Sequence, residues 1–429
     1  MSHGHLSIAS MDEESSAILK GTDDATSDDQ LGNELLLFEP MTVGDLELKH
    51  RVVMCPLTRC RADAGGVHSE LAVEYYKQRA SDGGLLITEG TIISQEAGGQ
   101  SNVPGIYSFE QIEAWKRVTA AVHEKGGFIF SQLWALGRVA DPAVVPNGKV
   151  YAPSDIPFTT NANNGPGCTD LTVMSERDLD RFVEAYVDAA RGAMETGFDG
   201  VEVHAANGYL LDQFLQTNTN TRSDNYGGSP ANRIRLIIRV LDSISTVVPP
   251  SKIGIRISPF STYQGMKMSP TTEIAQAFQH LLREVLSRWE LAYVHIIRGN
   301  GDEDEDRESL EKLKEVIRGS RRMNTRIILA GEFDPAQARE EVRKNPFDEL
   351  VAFGRYFIVE SAVSEFSAQL LCQEDSLLNY SAPTHWYPPA QSMACTANPD
   401  LPYRIRHQLA LSEWDETTFY THSAEGYIE

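Results

Sequence analysis

At 429 residues, 41% hydrophobic and 8% aromatic, the chain has the make-up of a globular protein with a large core. Its formal net charge of −23 argues against nonspecific binding to nucleic acid or to an anionic membrane, since both need basic patches. No apolar run reaches the roughly 18 residues of a membrane span, and five cysteines without metal-ligand spacing fit reduced thiols. With no secretory leader pattern and no retention or peroxisomal tail, the expectation is an acidic cytoplasmic enzyme, with neither nucleic acid nor membrane as a partner and no metal.

Residues 1–33 are polar and acidic without apolar period, and are expected to be a disordered extension before one folded domain over 34–429. From there a single theme recurs. Short apolar runs, bounded by Gly, Pro or polar turns, alternate with segments of helical period. The strands expected are 51–55, 84–89, 128–133, 199–204, 253–258, 292–297, 326–331 and 349–354. Helices are expected over 109–125, 176–196, 230–247, 271–287, 308–320 and 335–344, with Pro230, Pro270 and Pro335 at their starts. Eight apolar strands alternating with helices predict an α/β fold, an eight-stranded parallel β/α (TIM) barrel. A doubly wound open sheet is the alternative, but the strand-to-helix turns carry no G-x-G-x-x-G and no P-loop.

In such a barrel the chemistry sits at the C-terminal ends of the strands. Read in order, those ends offer Thr58-Arg59, Glu89-Gly90-Thr91, Gln132 with Trp134, then His204, Asn207 and Tyr209, Arg256, Gly331, and Gly354-Arg355. His204, Asn207 and Tyr209 stand within six positions at the mouth of one strand and can all donate hydrogen bonds, which suits a developing oxyanion. Each alone could equally cap the strand and satisfy loop carbonyls. Amides, hydroxyls and an arginine spread over several strands suit a flat heterocycle with carbonyl and imide edges. Glycines at the last two strands followed by Arg355 suit a phosphate.

Pro56-Leu57-Thr58-Arg59, Ala72 to Tyr76 (AVEYY), Thr88 to Thr91 (TEGT), Gln132-Leu133-Trp134, HAANGYL at 204–210 and TNTRSDNYGGSPANR ending at Arg233 resemble the old yellow enzyme family. These are FMN-dependent ene-reductases, and the similarity is to the branch found in fungi and plants. It covers about 35–358 and resumes at 397–428. The resemblance implies FMN as bound cofactor, NADPH as hydride donor and an α,β-unsaturated carbonyl compound as substrate, in a monomer or homodimer. It implies that Pro56, Leu57, Thr58, Gly90, Gln132 and Arg256 hold the flavin ring, and that Gly331, Gly354 and Arg355 hold its phosphate. Glu332 is an awkward neighbour there, because an anion repels a phosphate unless it points away.

His204 and Asn207 would take the substrate carbonyl, and hydride would pass from flavin N5 to the β-carbon. Tyr209 would protonate the α-carbon; a tyrosine hydroxyl ordinarily titrates near ~10 and so holds its proton at pH 7. Trp134, Tyr107 and Tyr420 are the expected walls of the substrate pocket, with core packing as the plain alternative.

The pattern breaks after GRYFI at 354–358. The family's next motif, ANPDLP, occurs only from Ala397, so 359–396 reads as an insert, either a surface loop or translated intron. It opens three residues after Arg355 and could impair the cofactor site. Two other readings therefore stand beside the reductase: a flavin-impaired pseudoenzyme or redox-neutral isomerase of the same fold, and, more remotely, a barrel glycoside hydrolase using Glu89 and Glu332.

Overall fold

The eight apolar runs are eight parallel strands in the computed structural model, which describes residues 36–158, 168–299, 304–320, 324–358, 398, 400–411, 418–421, 424, 427 and 428. They are β1 (Val52–Met54), β2 (Leu85–Ile92), β3 (Phe128–Trp134), β4 (Gly200–Ala205), β5 (Ile253–Ile257), β6 (Tyr293–Ile297), β7 (Arg326–Ala330) and β8 (Glu349–Phe353). Each pairs with its sequence neighbour, and β8 pairs with β1, so the sheet closes into a barrel. The expectations for 1–33 and for the insert 359–396 fall outside the described residues.

Every barrel strand is covered on both faces, which is why these segments read as continuous apolar runs rather than alternating ones. Outward side chains such as Val201, Val203, Ile255 and Ile257 pack under the helices, with Leu179 and Phe182 among their cluster partners. Inward side chains Val53, Leu85, Ile87, Phe130, Tyr293, Ile328 and Leu350 fill the lower barrel. Space for the rings of Phe130 and Tyr293 comes from glycine: a Cβ on Gly200 would stand 2.4 Å from the Phe130 ring, and one on Gly254 2.3 Å from Tyr293. An antiparallel hairpin, Met41–Val43 with Leu46–Leu48, packs its inward residues into the same cluster and stops the lower end of the barrel.

The helices expected at 109–125, 176–196, 271–287 and 335–344 are found as α2 (Phe109–Glu124), α3 (Glu176–Glu195), α5 (Thr271–Arg288) and α7 (Pro335–Lys344). Capping boxes start three of them: Ser108 with Gln111, Ser175 with Asp178, and Asp334 with Gln337.

The helix expected over 230–247 is instead two pieces, a turn at Pro230–Arg233 and α4 (Arg235–Ile244). Buried Arg233 ties the first piece to Leu215 O and Gly228 O. At the far end the hydroxyls of Ser245 and Thr246 bond back to Asp242 O and Ser243 O, taking carbonyls the helix would need to continue. The helix expected at 308–320 begins earlier, as α6 (Asp304–Arg318), with three acids in its first turn where the helix dipole favours them. α1 (Glu70–Arg79) and two six-residue helices, Leu210–Leu215 and Leu401–Arg406, were not expected as helices. No described helix is long and apolar enough to cross a membrane.

Candidate active site at the upper end of the barrel

A cavity of about 400 Å³ opens at the C-terminal ends of the strands. Its lining comes from Cys55, Pro56 and Leu57 after β1, Asn207 after β4, Arg256 on β5, Ile297 on β6, Ala330 to Phe333 after β7, and Ala352 to Tyr356 at the end of β8. Small residues at the β7 and β8 ends keep it open. A Cβ on Gly331 (φ +123°) would stand 2.7 Å from the Arg298 side chain, and Gly331 O accepts from Arg298 Nε at 2.6 Å.

Beneath this cavity the barrel interior changes from apolar to polar. Glu202 on β4, fully buried, accepts from Gln132 Nε2 at 2.7 Å and from His295 Nδ1 at 2.9 Å. His295 Nε2 faces the Cys55 thiol at 3.9 Å, and Cys55 Sγ accepts from Arg256 Nη2 at 3.4 Å. Burial pushes the Glu202 carboxyl up, but His295, Arg256 and Gln132 together outweigh it and hold the group below the ordinary carboxylate range. Burial, joined by the charge of Arg256, outweighs the pull of Glu202 and lowers His295, and burial pushes the Cys55 thiol up.

These directions agree on one proton arrangement: carboxylate, neutral imidazole, thiol. A carboxylate only accepts, so the Gln132 amide must turn its NH₂ to Glu202 and present its oxygen elsewhere. Arg256 is the network's cation. Its Nε has no hydrogen-bond partner among the described residues.

On the same rung as His295, His204 is the register partner of Arg256 on its other side. It is 4% exposed, and its Nδ1 likewise lacks a partner among the described residues. Burial first, then the charge of Arg256, holds His204 well below the ordinary histidine value, so the ring is neutral at pH 7.

The loop that follows is fixed by its own side chains. Asn207 (φ +58°) donates its N–H to Ser258 Oγ at 2.7 Å, and Gly208 donates to Asp212 Oδ2 at 2.8 Å. Gln213 Nε2 holds both Gly208 O and Leu136 O. Burial raises the Asp212 carboxyl to about 6. Asp212 and Gln213 were not singled out in the sequence, although both lie in the helical turn Leu210–Leu215 just beyond the motif. The result places the Tyr209 ring edge-on between two neighbours, with centroids 4.8 Å from Trp134 and 5.1 Å from His204.

A β-bulge sets the other wall. Between Ile87 and Gly90 the register of β2 on β3 slips, so Gly90, not Glu89, stands opposite Gln132. The displaced backbone and hydroxyl groups are matched: Thr88 Oγ1 accepts from Gln132 N, Glu89 N donates to Tyr76 OH, and Thr91 Oγ1 donates to Glu89 O. Gly90 makes room for Trp134, since a Cβ there would stand 2.5 Å from the indole. Glu89 is turned away from the cavity, accepting from Arg59 N at 3.0 Å and facing His68 at 3.5 Å; burial raises it to about 7. It is therefore not one of a carboxylate pair with Glu332 across a substrate, and the hydrolase reading falls.

The remaining expected residues are only partly brought together. Pro56 and Leu57 line the cavity, and Thr58 stands beside them, half-buried. Tyr420 is 57% exposed on a segment held by Arg59 and Arg61, which donate to Phe419 O. Tyr107 is 42% exposed and lines a different depression of about 220 Å³ with Asp63 and Val144.

At the rim, Gly354 and Arg355 line the cavity, but Arg355 is not turned to open space. Its Nη2 donates to the Glu332 carboxylate, so Glu332 points at this guanidinium and not away from it. Glu332 has φ +54°, a left-handed conformation that costs a side chain-bearing residue roughly 1–2 kcal/mol.

Comparison with known proteins agrees with this geometry. A sequence model of the NADH:flavin oxidoreductase / NADH oxidase family matches residues 36–369. The flavin oxidoreductase hxnT of Emericella nidulans is 36% identical over 416 residues, 92% of this chain and 96% of that protein. The aldehyde reductase FrzD of Cladobotryum sp is 36% identical over 408 residues, 93% and 95% of the two chains. The solved structure of morphinone reductase superposes with a TM-score of 0.75 at 35% identity, covering 92% of this chain and 95% of that one.

Proposed function

This chain belongs to the NADH:flavin oxidoreductase family, the old yellow enzymes, and from that premise we propose that it is an FMN-bound ene-reductase of α,β-unsaturated carbonyl compounds, driven by NADPH. Membership makes it an NAD(P)H-dependent flavin oxidoreductase; the ring system, donor and substrate class named here are the finer reading. The observation that carries it is a pair of unmatched buried nitrogens, Arg256 Nε and His204 Nδ1, on paired rungs at the cavity. Buried polar atoms are nearly always matched, so two left open at one place ask for a ligand.

The residues fit a flavin. Arg256 would stabilise the pyrimidine edge, where negative charge accumulates on reduction. Gln132, its NH₂ held by Glu202, would offer its carbonyl oxygen to the imide N–H. Pro56, Leu57, Thr58 and Gly90 would border the ring, and Gly331, Gly354 and Arg355 would take the phosphate. When bound, the flavin supplies a hydride to the substrate's β-carbon and regains one from NADPH.

The chain's own residues do the rest. His204, neutral, and Asn207 would donate to the carbonyl oxygen and draw electron density from the conjugated double bond. Donors aimed at a developing oxyanion are worth roughly 10²–10³ in rate. Tyr209, its ring held by Trp134 and His204, would deliver the proton to the α-carbon, a step worth roughly 10²–10⁴. Trp134 and Tyr420 would wall the substrate. Tyr107 would do so only from its separate depression.

The test is the visible spectrum of the purified protein. A flavin spectrum that bleaches with anaerobic NADPH and returns with cyclohexenone is expected. Bleaching without return would confine the activity to NADPH oxidation, and a colourless protein that FMN cannot reconstitute would favour the impaired pseudoenzyme.

A further inference from the structure

We propose that Glu332 is a built-in competitor for the cofactor phosphate, and that it lowers this chain's preference for FMN over unphosphorylated riboflavin. The inference rests on the flavin reading above. Four features at the β7 and β8 ends carry it. Gly331 and Gly354 leave the cavity wall without side chains, and Arg355 is the cation lining it there. The Glu332 carboxylate lines the same cavity and is already on the Arg355 guanidinium. The backbone of Glu332 is anchored, with Arg298 Nη2 donating to Glu332 O at 3.4 Å and Arg298 Nε to the preceding Gly331 O. Arg298 is committed further, to Gln337 Oε1 at 3.0 Å and to the Phe333 ring at 3.7 Å, so it is not offered as a replacement cation.

An arriving phosphate, with close to two negative charges, has two ways in. It can displace Glu332, which then remains nearby as a like charge screened only in part by solvent, or it can share Arg355 with it, leaving the trio net negative. Either way the phosphate gains less than an uncontested arginine would give it. Riboflavin carries the same ring and no such charge, so it is indifferent to Glu332.

The experiment titrates the full-length protein, stripped of flavin, with FMN and with riboflavin, followed by quenching of flavin fluorescence. Glu332→Gln is expected to tighten FMN roughly tenfold, the scale of like charges about 4 Å apart near water, and to leave riboflavin unchanged. Glu332→Asn, an amide that tolerates positive φ well, should do the same and guards against a folding artefact. If both variants bind FMN and riboflavin in the wild-type ratio, the inference is wrong while the flavin reading stands. If neither flavin binds wild type or variants, both fall together.

Discussion

Two charged constellations meet the same cavity and are built in opposite ways. Below it, Glu202 is fully buried, and Gln132, His295, Cys55 and Arg256 extend from it in one connected chain. At the rim, Glu332 and Arg355 form a pair whose side chains are 69% and 39% exposed. The difference follows from solvent. A buried charge must be matched by protein, so its partners become fixed and pre-aimed. An exposed charge can exchange its partner for water at little cost, so its pairing is replaceable. The first arrangement orients; the second yields.

The comparison can be broken at its buried half first. Replacing Glu202 with alanine leaves Arg256 as an uncompensated buried cation and strands Gln132 and His295. A loss of about 3–5 kcal/mol in chemical unfolding is expected; a loss below 1 kcal/mol would show that the network is not what holds the upper barrel. Gly90→Ala should cost less, roughly 1–3 kcal/mol, because the new methyl meets the Trp134 indole and one ring must give way. A changed near-UV circular dichroism spectrum would register that shift.

At the rim, Glu332→Ala should alter stability by under about 1 kcal/mol, whatever it does to FMN. The smallest expected effect is none. His204 is held well below its ordinary value, so kcat/KM should carry no limb near pH 6.5 from its titration. A limb that disappears in His204→Asn would contradict this.

Much of the architecture could be read from the chain because a fully covered parallel strand leaves a plain mark, a short unbroken apolar run. All eight runs became barrel strands. Helix α1 left no such mark, since the face it buries includes Tyr75, Tyr76 and Arg79 beside Ala72. The hairpin at 41–48 alternates buried and exposed residues over only three positions per strand, too few to stand out.

In the site, the motif at His204 to Leu210 was plain, yet the network beneath it was not, although a signal was present. Glu202, Arg256 and His295 each interrupt an otherwise apolar strand. A charged or titratable side chain inside a covered strand needs a buried partner, and that requirement alone links Glu202 to His295 and to Arg256. The bulge at Thr88–Glu89 depends on a slip in pairing between two strands, which neither strand carries alone. The contact of Glu332 with Arg355 spans two separate strand ends, and only the closed barrel brings them to one rim.

The hairpin that stops the lower end also bears on the order in which the molecule can be assembled. It is synthesised before any barrel strand, but the groups it docks against come far later: Ser251 Oγ donates to Asp45, Gly44 closes on Ala292, and Arg326 Nε donates to Thr42 O. Until that part of the chain has left the ribosome, the barrel floor that Met41, Val43, Leu46 and Leu48 cover is incomplete, lacking Ala292, Tyr293, Ile328 and Leu350. A piece made before any barrel strand can be fully seated only after late ones exist, and sealing the barrel spans nearly 300 residues of separation. Closure of that kind is intrinsically slow and leaves apolar surface exposed meanwhile, so its rate sets how long the nascent chain depends on protection from aggregation.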